Sequence, residues 1–177
     1  MESTRRAGKL GIGLAGEVAV DQPAAVKRAR SVSARMSKGV GHLMKACSVQ
    51  VVSGTAQLTA PGTVQVQDGP LIEARAVILA TGARPRPLPS IPFDGQRVIT
   101  STDAMWMEQV PRRLVVVGAG AIGMEFAYYY CVAGSQVTVV EALDSILPFA
   151  DPEAVKAVVR AMRRRKVEMI CPARVVT

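Results

Sequence analysis

The stretch Leu114-Val115-Val116-Val117-Gly118-Ala119-Gly120-Ala121-Ile122-Gly123 decides the fold. Four apolar residues in a row, three of them β-branched, read as a strand buried on both faces. The strand runs directly into the spacing G-x-G-x-x-G. A helix is expected from about Ala121 to Ala133, stopped by Gly134. Gln136 to Val140 alternates as a second strand and ends at Glu141. A helix from about Asp151 to Lys166 and a short apolar run at Val167 to Ile170 complete βαβαβ. That order predicts an α/β, Rossmann-like unit in three layers. In such a turn the first glycine, Gly118, permits a tight exit from the strand. Gly120 lets backbone amides approach a pyrophosphate, and Gly123 lets the helix lie close to the sheet. The open amides and dipole at the helix N-terminus attract anions. Glu141, ending the second strand, is placed to accept hydrogen bonds from an adenosine ribose. It would repel a 2′-phosphate, and Ala142, Leu143 and Asp144 offer no arginine to neutralise one. The fingerprint therefore points to NAD rather than NADP.

Upstream the periodicity is different. Residues 1–20 show no sustained pattern, although Gly11, Gly13 and Gly16 repeat the same glycine spacing. No apolar strand precedes them and no helix opens directly behind them, so they read as a chance match. Asp21 is a good N-cap, Pro23 suits a first turn, and Val32, Met36, Val40 and Met44 recur every four residues. An amphipathic helix over about 22–46 follows, and His42 within it has no nearby ligand or carboxylate and receives no role. From Val49 the period is two: VQVV, TAQL, a turn at Pro61-Gly62, TVQV, a turn at Asp68-Gly69, then LIEA. This predicts an antiparallel β-meander that closes with Ala76-Val77-Ile78-Leu79-Ala80, a short strand buried on both faces. The prolines from Pro85 to Pro92 make a stiff connector. Two domains are expected, 1–110 and 111–177, the first with its meander over 48–80 and its connector over 83–110.

Composition narrows the function. In 177 residues, 49% hydrophobic and 20% charged residues exclude a disordered chain, and 4% aromatics argue against a surface that stacks bases. The net charge of +8 could attract anions. Its densest run, Arg163-Arg164-Arg165-Lys166, instead closes a helix, where cations suit the dipole. Cys47, Cys131 and Cys171 stand too far apart in sequence for a redox pair or a metal set, and read as free thiols in a reducing compartment. The opening MESTRRAGKLGIGLAG lacks a secretory apolar core, and Arg113 and Glu125 bound the richest apolar stretch, which is too short to span a membrane. A cytoplasmic protein is expected, with neither nucleic acid nor membrane as partner.

The segments ARAVILATGARPRPLPSIPFDG and PRRLVVVGAGAIGMEFAYYYCVAGSQVTVVE occur in the order found in the two-dinucleotide flavoprotein disulfide reductases. SKGVGHLMKACSVQVVSGTAQLTAPGTVQV and TSTDAM extend the likeness, so that residues from about 11 to 177 resemble that family, most closely its dihydrolipoyl dehydrogenase branch. The resemblance implies a partial FAD-binding domain ahead of the NAD-binding one. Ala80, Thr81, Gly82 and Ala83 would pass the ADP portion of the flavin, and Gly54, Thr55 and Ala56 would meet its adenosine through the backbone. Gly118, Ala119, Gly120, Ala121, Ile122 and Gly123 would hold NAD, with Glu125 on the nicotinamide side and Glu141 on the ribose. Ala83 and Ala56 stand where serine and glycine are common in the family, and Ala121 where the glutathione reductase branch often has a tyrosine.

The family also carries a flavin fingerprint strand, a redox cysteine pair four residues apart, and an interface domain with a His–Glu pair. None of these occurs here, so no catalytic residue is assigned, and the chain is expected to be a fragment lacking both ends and inactive alone. Intact relatives oxidise dihydrolipoamide, reduce NAD through FAD, act on lipoyl domains of 2-oxoacid dehydrogenase complexes and form homodimers. Two alternatives stay open: a standalone NAD-binding module without catalysis, and a piece of a related flavoprotein such as mercuric reductase or NADH oxidase.

Overall fold

A computed structural model describes residue 4 and residues 7–13, 15–16 and 18–176. Contacts divide the chain into two compact units, one of residues 1–29 with 85–177 and the other of residues 30–84.

In the first unit a short 3-10 turn, Ala7–Leu10, leads into Gly11, the first glycine of the upstream triplet. Helix α1, Gln22–Ala46, begins there, with the Asp21 carboxylate accepting from the Ala24 N–H at 2.9 Å. Its first turn is anchored by buried Val26 and by Gln22. The Gln22 Nε2 donates to the Met107 carbonyl (2.9 Å), and its Oε1 accepts from the Tyr129 hydroxyl (2.7 Å). A buried amide with both ends bonded avoids the cost of an unsatisfied polar group. Helix α2, Ser101–Trp106, has no counterpart in the expected elements. Thr100 and Asp103 form a reciprocal capping box at its start.

The βαβαβ order is as read. Strand β4 (Arg113–Val117), helix α3 (Ala121–Ala133), strand β5 (Gln136–Val140), helix α4 (Pro152–Arg164) and strand β6 (Glu168–Ile170) succeed one another. The three strands form a parallel sheet in sequential order, with Val117 beside Val140 and Val140 beside Ile170. Gly134 ends α3 in the left-handed region, its N–H bonded to Tyr130 O. Asp151 caps α4 through the N–H groups of Glu153 and Ala154. The α4 helix stops two residues before the expected Lys166, which itself has positive φ.

The core joins Ala119, Met124, Ala127, Tyr130, Val137, Val139, Ile146, Met162 and Val167. Leu114 and Val116 pack against it, while Val115 and Val117 are exposed. The run 114–117 is therefore not buried on both faces, because only alternate side chains meet the core.

In the second unit, α1 continues to Ala46 and its apolar stripe is largely exposed at Val32, Met36 and Val40. The meander is shorter than the periodicity suggests. It consists of β1 (Ala56–Ala60), β2 (Thr63–Val66) and β3 (Leu71–Glu73), antiparallel in sequence order. Residues 49–52 and 76–80 lie outside it without regular structure, and Ile78 is 90% exposed. A strand exists only where its N–H and C=O groups find a ladder. Alternation or apolar content without a pairing neighbour does not make one. The turns fall at Pro61-Gly62 and Asp68-Gly69 as expected.

Candidate dinucleotide-binding site

The glycine turn is set by sterics. Gly118 has φ of +99°, a region that penalises any side chain, and its N–H donates to Val140 O at 2.8 Å, tying the turn to β5. At Gly123 an added Cβ would run into the carbonyl oxygen of Gly118 and stand 3.3 Å from Val116 Cγ1. Only a residue without a Cβ allows α3 to lie this close to β4. Gly120 is the N-cap, in extended conformation and with no side-chain cap. A Cβ there would meet nothing within 4 Å. Ala121 and Ile122 are exposed. The first-turn amides of α3 thus open onto free space, as anion binding at a helix start requires.

Glu141 stands at the end of β5, beside that opening. Its Oε2 accepts from the Ala119 N–H at 2.6 Å and its Oε1 from the Leu143 N–H at 2.9 Å. Its own backbone is fixed from β6, with the N–H donating to Ile170 O (3.0 Å) and the carbonyl accepting from the Ala173 N–H (2.7 Å). The Leu143 and Ala119 amides hold the carboxyl below the ordinary glutamate range, against a smaller opposing effect of burial. An ionised carboxylate keeps further lone pairs for hydroxyl donors. The Ala119 carbonyl accepts from the Leu147 N–H (2.8 Å), so both polar groups of this buried residue are engaged inside the protein.

Glu125 is exposed on α3, one turn beyond Ala121 on the same face. With Met124, Tyr128, Leu147 and Met162, these two residues border an open, mostly apolar hollow of about 430 Å³. The Arg165 guanidinium lies 5.0 Å from the centre of the Tyr128 ring.

The residues expected to meet the flavin lie in the second unit. Gly54, Thr55 and Ala56 lead into β1, where the Thr55 carbonyl accepts from the Gln67 N–H at 2.8 Å and Ala56 pairs with Val66. Ala80, Thr81, Gly82 and Ala83 are exposed and irregular. Among the described residues no group of His, Cys, Asp or Glu could hold a metal, and no helix is long and apolar enough to cross a membrane. The structure adds Leu143, Leu147 and Ala173 to the site. Each contributes a backbone N–H, which leaves no mark in side-chain patterns.

Residues 8–177 match the family model described as pyridine nucleotide-disulphide oxidoreductase. The chain is 40% identical over 163 residues to a dihydrolipoyl dehydrogenase of Chlorobaculum tepidum, covering 90% of this chain and 35% of that protein. It is 34% identical to that of Bacillus subtilis, covering 98% of this chain and 39% of that protein. Among solved structures it resembles LpdA from Mycobacterium tuberculosis, with a TM-score of 0.80 and 31% identity, over 98% of this chain and 39% of that one. It also resembles the HOCl-induced flavoprotein disulfide reductase RclA from Escherichia coli, with a TM-score of 0.74 and 26% identity, over 89% of this chain and 37% of that one. The chain therefore spans little more than a third of the length of these relatives. Over that third, sequence and fold agree, and the chain belongs to the pyridine nucleotide-disulphide oxidoreductases, a family of enzymes that use FAD and NAD.

Proposed function

We propose that the chain forms the NAD-binding part and a portion of the FAD-binding domain of a dihydrolipoyl dehydrogenase, an enzyme that oxidises protein-bound dihydrolipoamide and reduces NAD. The observation that supports this most directly is the ionised Glu141, fixed beside the uncapped first turn of α3. Residues 111–177 are the NAD-binding domain and residues 1–110 the flavin side.

The residues fit a dinucleotide. The amides of Gly120, Ala121 and Ile122 receive the pyrophosphate, while Glu141 accepts from the ribose hydroxyls and disfavours a 2′-phosphate. Glu125, with Ala121 behind it, lies on the nicotinamide side. Gly54 to Ala56 and Ala80 to Ala83 approach FAD through the backbone. The bound cofactors supply the two-electron chemistry, and these residues hold and orient them. Among the described residues no disulfide joins Cys47, Cys131 and Cys171, and their spacing in sequence gives no dithiol pair, so the exchange with lipoamide is not assigned to them. The setting is the cytoplasm, with lipoyl domains of 2-oxoacid dehydrogenase complexes and a second copy as partners.

The same lack of a dithiol favours a second reading, NAD binding without turnover. Titration calorimetry with NAD and NADP, with FAD absorbance recorded on the same sample, tests both. NAD binding that exceeds NADP binding and is lost in Glu141→Ala supports the site, and bound flavin adds the enzyme reading. A folded chain that binds neither nucleotide refutes both.

A further inference from the structure

Resting on the assignment of this site to NAD, we propose that Glu141 has a second role: it is the positioning residue that shapes the phosphate cradle. The Ala119 peptide is gripped at both ends, its N–H by Glu141 Oε2 (2.6 Å) and its carbonyl by the Leu147 N–H (2.8 Å). The other oxygen of the same carboxylate holds the Leu143 N–H (2.9 Å). One side chain thereby joins the glycine turn after β4 to the loop after β5, the two segments that flank the opening. Neighbouring amides are divided between two tasks. Those of Gly118 and Ala119 are spent within the protein, on Val140 O and Glu141. Those of Gly120, Ala121 and Ile122 remain for the ligand, because the helix start leaves them without intrahelical partners. With the Ala119 N–H released, the turn would lose the charged hydrogen bond that orients it, and the free amides would lose their common direction.

Contact with the ribose and positioning of the cradle separate cleanly with ADP and 2′,3′-dideoxy-ADP, which share the diphosphate but differ in the ribose diol. If Glu141 served the ribose alone, its variants would bind dideoxy-ADP as well as wild type does. They could even bind it more tightly, since a carboxylate beside a diphosphate is repulsive. Positioning predicts the opposite order. Glu141→Ala weakens dideoxy-ADP at least about tenfold. Glu141→Gln, which keeps one acceptor for one of the two amides, recovers part of that loss.

A readout that needs neither variant nor ligand is amide exchange in the wild-type chain, where the Ala119 N–H is protected and those of Gly120 to Ile122 exchange quickly. On adding ADP, the Gly120 to Ile122 resonances move and Ala119 stays hydrogen-bonded. Unchanged or tighter dideoxy-ADP binding in folded variants, or an Ala119 amide that exchanges as fast as its neighbours, overturns the positioning role while leaving NAD binding intact. A wild-type chain that binds neither ADP nor NAD overturns the site itself.

Discussion

Ala119 and Glu141, 22 positions apart, are joined by a backbone N–H donating to a carboxylate oxygen at 2.6 Å, which closes the glycine turn onto the end of β5. This bond and its companion from Leu143 are both strongest to the charged carboxylate, whose two oxygens then accept together, and they lower its pKa from the ordinary value of 4.5. A group whose folded pKa is depressed contributes stability that is complete above the unfolded value and fades as pH falls through the folded one. Urea denaturation at a series of pH values should therefore show wild type more stable than Glu141→Gln near neutrality. The gap should close below pH 4.5. Asp94 and Asp103, lowered by their own hydrogen bonds, weaken both proteins alike in acid and cancel in the difference. A gap that persists unchanged into acid would show that the Glu141 bonds do not depend on its charge.

Gly123→Ala sets two effects against each other. Helix propensity favours alanine by about 1 kcal/mol. The new Cβ, however, would collide with the carbonyl oxygen of Gly118, a backbone atom with little room to yield. Sterics should win, with a net loss of about 1–3 kcal/mol and nucleotide affinity falling as α3 is pushed off β4. A urea midpoint equal to or above that of wild type would contradict this.

Tyr130 is fully buried, and its hydroxyl donates to the Ala104 carbonyl at 2.6 Å, linking α3 to α2. Tyr130→Phe keeps the ring packing and removes only that bond, so a loss of about 1–2 kcal/mol is expected in the same denaturation experiment. Nucleotide binding should stay near wild type, because the hydroxyl lies at the far end of α3 from Gly120.

The three thiols should differ in reactivity. Cys47 is exposed, whereas Cys171 is half-buried and its pKa is raised, first by burial and then by the Glu141 charge. The thiolate is the reacting species. A disulfide reagent at mildly alkaline pH should therefore label Cys47 well before Cys171, as followed by peptide mapping. Glu141→Gln should accelerate Cys171, and identical rates in the two proteins would remove the electrostatic link.

The second half of the fold was legible because its signals are local and redundant. Gly134 and Glu141 end α3 and β5 where they stand in sequence, and Asp151 with Pro152 begins α4. The run Ala76 to Ala80 misled for the opposite reason. Its apolar content describes what a strand would bury, but strand formation depends on a neighbour that five residues cannot specify. Val49 to Val52 failed in the same way. At the site, a carboxylate closing β5 could be read directly from Glu141. The amides of Ala119 and Leu143 that occupy it could not, since every residue but proline carries that donor.

The anchoring of Gln22 has a consequence for chain length. Its side chain meets Met107 and Tyr129 across separations of 85 and 107 positions, with residues 30–84 folded as a unit of their own in between. The first unit is thus discontinuous, and the second is an excursion between its two pieces. Closure entropy grows only logarithmically, so doubling such an excursion would cost about 0.6 kcal/mol. Lengthening a loop between its elements is therefore cheap in closure entropy, while Gln22 keeps the two pieces of the first unit joined.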